Sequence, residues 1–388
     1  MKPTLNPLLR LFTLSLITCF NLENAHAFII TWDGGHGSQN SWSTKQNWNR
    51  SGSNAVPASG DELHFLGPPR LLTNSNDITA ATSFNSLTFD SGAGAFSLNG
   101  NSITLAGNIV NSSTSVQTIN LPVILSGAAR DFHADTGSLV VSGSGTISGS
   151  VGLNKTGNFA LTLATANTYS GTTSISADTL FANNTSGSGT GTGAVIVGLS
   201  GKLGGTGSIA PTGSNGINVS GVLTPGSSAS IGNITLNLAN TTGITAMAAN
   251  SSFEYQLGVA GLDINAFGTS DLLTIAGASA NDFGFSGNNI DLLATGGVGF
   301  YKLFDTSFNS STTWTGLTVT SGTDVITSGL TTSNLSSGLT GTLIMGEIHS
   351  VAQVGTFICI WCQNQALRYS PVLEPCSCCA AEGRRMRD

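Results

Sequence analysis

From about residue 80 the chain is written in short runs in which apolar residues alternate with Ser and Thr, each run closed by Gly, Asn or Ser. Leu87, Thr88 and Phe89, then Phe96, Ser97 and Leu98, then Ile103, Thr104 and Leu105 are examples, and Leu139, Val140 and Val141 and Leu161, Thr162 and Leu163 repeat the pattern. A period of two sends successive side chains to opposite faces of a strand. Ser91-Gly92, Asn99-Gly100 and Ser142-Gly143 supply turn residues that tolerate positive φ between the runs. No amphipathic helical stretch of useful length follows the N-terminus. Many short, evenly punctuated strands fit a sandwich, a barrel or a β-solenoid. Repetition selects the solenoid, because strand–turn units from about 80 to 240 are variations on one another. In such a rod each coil of roughly 20 residues lies about 4.8 Å above the last.

Composition agrees with an elongated all-β body. Gly, at 50 residues, is about twice its usual share, and charged residues make up only 9% of the chain. Surface polarity therefore falls to Ser, Thr and Asn. The net charge is −7. No basic patch of the kind that binds phosphate backbones is present, so nucleic acid is not an expected partner.

Residues 1–27 read as a secretory signal. Lys2 and Arg10 form a positive start, residues 11–20 an apolar run too short to span a bilayer, and Ala25, His26 and Ala27 a small-x-small cleavage site. No later segment is long enough to cross a membrane as a helix. The expected plan is a signal at 1–27, an N-terminal cap region at 28–80 and a solenoid at 81–240. A β-rich C-terminal region at 241–346 and an atypical tail at 347–388 complete it.

A family resemblance attaches to particular residues. Lys155, Thr156 and Gly157, then Leu161, Thr162 and Leu163, then Asn167, Thr168, Tyr169, Ser170 and Gly171, then Ala177, Asp178, Thr179 and Leu180 resemble the autotransporter-associated β-strand repeat. The family pattern runs K-T-G, L-T-L, N-T-Y-T-G, A-G-T-L, with the core of the match at 153–180. Thr172, Asp178 and Phe159 stand where it has glycine. Leu203, Gly204, Gly205, Thr206 and Gly207, and Leu223, Thr224, Pro225 and Gly226, are similar to coils that follow such a repeat. Thr31, Trp32, Asp33, Gly34 and Gly35, with Trp42, Asn47, Trp48 and Asn49, resemble its usual start. The resemblance implies a right-handed parallel β-helix, less regular toward the C-terminus, displayed on the surface of a Gram-negative-type bacterium. The family's translocator barrel has no counterpart among the roughly hundred residues after the repeat, against about ten residues for each barrel strand. A free-standing member served by separate export machinery is expected.

The tail holds Cys359, Cys362, Cys376, Cys378 and Cys379. Their spacing formally fits a zinc ribbon. Disulfides suit an exported protein better, and a lineage-specific or frame-shifted end is a third account.

Chemistry is sparse. Between Thr136 and Phe253 the charged residues are Lys155, Asp178 and Lys202 alone, too few and too scattered for an acid–base pair. Lys155 reads as a solvated turn residue. Carboxylates lie elsewhere, at Asp61 and Glu62, Asp131 and Asp135, and Asp263, Asp271, Asp282 and Asp291. Alternation places Asp131, His133 and Asp135 on one strand face, where they form either a metal or general-base site or simply an exposed polar face. Trp32, Trp42 and Trp48 fit either a sugar-stacking surface or a cap on the open end of the rod. The glycines at 204, 205 and 207 lack the Asp of a calcium nonapeptide, since Ile209 stands there. Gly187, Gly189, Gly191 and Gly193 lack the Gly-Lys-Ser/Thr of a phosphate loop.

The sequence reading is thus an exported, non-enzymatic β-repeat protein with a structural or adhesive role. No catalytic, cofactor or metal residue is assigned, and an extracellular glycan is the candidate partner. The alternatives are a β-helix polysaccharide-modifying enzyme with an acidic site at 131–135, and a defective family member.

Overall fold

The computed structural model describes residues 28–67, 71–227, 230–248, 251–259, 261 and 267–277, and beyond these only strand segments up to residue 364. The chain forms a β-solenoid. One short 3-10 turn, Lys45–Asn47, is the helical exception among the described residues. No helix among them is long and apolar enough to cross a membrane.

Each coil contributes a strand to a first face and a second face, and many add one to a third. The first face is a thirteen-stranded sheet and the second an eleven-stranded one. On the first face Ser86–Phe89, Ile109–Asn111, Arg130–Ala134, Leu153–Thr156, Thr173–Ile175 and Val195–Val197 stack in parallel, residue on residue. Stacking of this kind already begins at Ile29–Trp32, which pairs in parallel with Glu62–Phe65. The outer edge there is closed differently. Trp48–Arg50 runs antiparallel to Ile29–Trp32, and Ser53–Asn54 antiparallel to Trp48–Arg50. Stacked positions are 19 to 24 residues apart in the middle of the rod and 28 apart by Val219 and Met247.

The period of two in the sequence becomes the inside and outside of the rod. Strand after strand shows a buried, part-exposed, buried pattern. On the second face Leu139, Leu161, Leu180, Leu203 and Leu223 form one continuous inward column. On the first face the inward column runs Leu63, Leu87, Ile109, Phe132, Lys155, Ile175, Val197, Val219 and Met247. Each apolar member fully buried in such a column contributes about 1.5–3 kcal/mol of transfer free energy. Turns at the corners use the expected glycines. Gly100, at φ +101°, has its Cα against the backbone of Asn76 in the coil before, so a side chain would collide there.

The third face is interrupted. Thr82–Phe84, Ile103–Leu105, Val123–Leu125 and Ile147–Gly149 form a four-stranded sheet that ends at Gly149. The same position along the coil regains a strand only at Ser208–Ile209, which opens a sheet continued by Asn233–Asn237, Leu272–Ala276 and Gly299–Thr306. That sheet ends in the antiparallel pair Leu339–Ser350 and Gln353–Asn364. Cys359 and Cys362 fall on the last strand, while Cys376, Cys378 and Cys379, like the signal at 1–27, lie outside the described residues.

Candidate functional site

The acidic trio sits on the first face. Asp131 and His133 point outward from the strand Arg130–Ala134, while Phe132 and Ala134 point in, as alternation requires. Asp131 is bridged along the rod. Its Oδ1 accepts from Asn154 Nδ2 at 2.9 Å in the next coil, and its Oδ2 accepts from Asn108 Nδ2 at 3.4 Å in the coil before. Asn108 Oδ1 in turn accepts from the Asp131 N–H at 3.0 Å. His133 Nδ1 lies 2.8 Å from Thr156 Oγ1, and its Nε2 is 3.9 Å from Asp135 Oδ1. Asp131 and His133 therefore each have a neighbour one coil away and form a polar ladder that ties coils together, while Asp135 meets His133 within its own coil. Among the described residues no three His, Cys, Asp or Glu side chains stand close enough to hold a metal ion.

The other carboxylates are mostly structural. Asp61 is buried, pairs with Arg50 and accepts the Ala58 N–H at 2.8 Å. Asp271 is buried near Tyr255. Its two oxygens accept the Gly232 N–H at 2.9 Å and the Gln256 N–H at 2.7 Å. Burial pushes Asp271 up to about 6, against those two hydrogen bonds. Burial, with the negative charge of Asp271 beside it, raises the Tyr255 phenol well above its ordinary value. Asp263 and Asp282 lie outside the described residues. Asp291 lies on the strand Asn288–Leu292, in register with Glu254.

Lys155 corrects the sequence reading of a solvated turn residue. It is fully buried in the inward column of the first face, between Phe132 and Ile175. Its Nζ donates to the carbonyls of Thr156, Gly157 and Ala177, each at 3.0 Å. All three ammonium protons thus find backbone oxygens at a coil corner that would otherwise lack donors. Burial pulls Lys155 down to about 8, opposed by the nearby charge of Asp178. Asp178 itself adopts φ +50°, a left-handed conformation that glycine takes without strain.

The tryptophans are interior. Trp32, Trp42 and Trp48 are fully buried, with edge-to-face ring contacts at 5.0 and 5.5 Å, and they pack on Phe65 and Phe84. They seal the first coils and present no ring to a sugar.

Where the third face lacks strands, an open groove of about 1050 Å³ remains. Asparagines that sequence reasoning left unassigned fix its floor. Asn167 accepts from the Ile147 N–H at 2.7 Å and donates to the Gly189 carbonyl at 2.6 Å. Asn184 accepts from the Ser208 N–H at 3.1 Å and donates to the carbonyls of Ser186 and Gly187. Tyr169 fills the corner beneath, fully buried, with its hydroxyl 2.6 Å from Thr173 Oγ1. The sequence signal for this was the Asn of the N-T-Y motif, whose side chain replaces a missing strand ladder.

No family model, curated protein or solved structure matches the chain.

Proposed function

We propose that the chain is an exported cell-surface β-solenoid with a structural or adhesive role, a free-standing relative of autotransporter-associated repeat proteins delivered by separate export machinery. One observation carries this reading. Through the middle of the rod the outer faces are dominated by Ser, Thr and Asn, with Phe159, Ile196 and Leu199 exposed among them, and both lysines there are committed to the fold. Lys155 caps carbonyls inside the core, and Lys202 is held by Glu254 at 2.8 and 2.9 Å. A long uncharged face of repeating hydroxyls and amides suits attachment to extracellular material by many weak contacts. This surface, and not the fold, supports adhesion, since one fold hosts unrelated functions.

The test is to incubate the purified full chain with a panel of extracellular glycans and score both retention and new reducing ends. Retention without new ends, or neither, is expected. New reducing ends would contradict the reading.

A polysaccharide-modifying site at 131–135 is the second reading, favoured by the approach of His133 to Asp135 on an accessible face. It requires that Asp131→Asn with Asp135→Asn abolish any glycan turnover. Turnover unchanged in that variant removes the site.

A further inference from the structure

The groove on the third face has a chemistry of its own. It opens between the end of one sheet at Ile147–Gly149 and the start of the next at Ser208–Ile209. None of its described lining residues is charged or aromatic; they are Asn, Thr, Ser, Gly and Ala. Its floor is rigid because Asn167 and Asn184 spend their carboxamides on backbone groups of neighbouring coils.

The rim differs from the floor. The hydroxyls of Thr168, Thr185, Ser186 and Thr235 and the carboxamide of Asn240 make no hydrogen bond among the described residues, and all five border the groove. Ser208 and Thr235 stand in register on successive strands of the sheet that forms one side. Their hydroxyls therefore repeat at the coil spacing of about 4.8 Å.

This pattern excludes most ligand classes. An anionic polymer or a phosphate needs Lys, Arg or a converging set of N–H groups. An apolar ligand needs a hydrophobic lining. What remains is a neutral, hydroxyl-rich chain laid across several rungs. We infer that this groove is a binding site for a neutral polysaccharide. The inference deepens the adhesive reading above and rests on it. Without an aromatic platform each contact is weak. Retention then depends on a polymer that occupies several rungs together.

The experiment uses the full chain on immobilised amylose, cellulose and mannan, with alginate and hyaluronan as acidic counterparts. The comparison variant is Thr185→Ala, Ser186→Ala, Thr235→Ala and Asn240→Ala combined. All four side chains are part-exposed or exposed and make no internal bond, and a second variant, Thr185→Ala with Ser186→Ala alone, touches only the loop. Wild-type retention on at least one neutral glycan is expected, with at least a tenfold loss in the fourfold variant and a smaller loss in the double one. Equal retention of wild type and variants overturns the groove as the site while leaving the adhesive reading intact. Retention only on acidic glycans overturns the ligand class. No retention of wild type on any glycan overturns the inference and leaves the structural role alone.

Discussion

The first coils and the coils around residue 180 meet the same packing requirement with different side chains. From Ile29 to Phe96 the interior is aromatic. Trp32, Trp42, Trp48, Phe65, Phe84, Phe89 and Phe96 touch ring to ring at 5.0 to 6.5 Å. Around residue 180 the interior holds Leu, Val, Ile and Ala with Tyr169 as its one large ring, and buried polar side chains satisfy the backbone at the corners. Asn167, Asn184 and Lys155 each bond backbone atoms of more than one coil position. The difference follows from position in the rod. Among the described residues the first coil has no further coil on its outer side, and its core is closed with bulk. An internal coil is covered above and below, so it needs donors and acceptors where its ladder is interrupted.

The largest expected effect is at the aromatic end. Trp48→Ala removes a fully buried ring that touches Trp32, Trp42 and Phe65, and should cost about 3–5 kcal/mol. Because coils couple mainly to their neighbours, amide exchange should quicken through residues 29–89 and stay slow near Leu203. Uniform loss across the rod would erase the regional contrast.

Lys155→Met tests the interior. The apolar stem is kept, but three carbonyls lose their donor, and the expected loss is about 2–4 kcal/mol, read as a lower urea midpoint. A stabilised Lys155→Met chain would mean that the column prefers a hydrophobic residue and that the caps are dispensable.

Asp271 gives a smaller, pH-dependent effect. Its folded value, about 6, lies above the ordinary 3.8. The folded chain therefore takes up the proton before the unfolded one, and the contribution is fullest below about pH 4 and is lost as pH rises through 6. Asp271→Asn should flatten that part of the melting temperature against pH. An unchanged slope would place the titration elsewhere.

The smallest effect is at Asp178. Asp178→Gly should be neutral or stabilising by up to about 1 kcal/mol, since glycine adopts positive φ without strain. Asp178→Ala should be destabilising by about 1 kcal/mol, with loss of the 2.9 Å bond from Thr179 Oγ1. Destabilisation by glycine would show that this side chain, and not the backbone, holds the turn.

The solenoid was legible in the sequence because its cause is local. Alternation at Leu139, Val140 and Val141 and at Leu161, Thr162 and Leu163 needs no distant partner to be read as strand, and in-register stacking follows from the repeat. Lys155 was misread for an instructive reason. The Thr156-Gly157 pair suggested a turn, yet the strand Leu153–Thr156 puts Lys155 on the inward side with Leu153. The period of two held the answer, and the charge obscured it. The groove was not legible, since it arises from a third-face strand that is absent between Gly149 and Ser208, and such a gap depends on how distant coils align. Asp131 and His133 were placed on the correct face, but their Asn108, Asn154 and Thr156 partners come from adjacent coils that spacing alone does not pair.

The most direct test of the whole account is the register of adjacent coils. Val140 and Thr162 are paired on the outward side of the second face, and Thr118 pairs with Val140 one coil earlier. Neighbouring coils lie about 4.8 Å apart, within disulfide reach, whereas coils two apart do not. Val140→Cys with Thr162→Cys should form a bond under mild oxidation, mapped by mass spectrometry of the digested chain, and Thr118→Cys with Thr162→Cys should not. A crosslink in the second pair and none in the first would contradict the stacked parallel solenoid on which every other inference here depends.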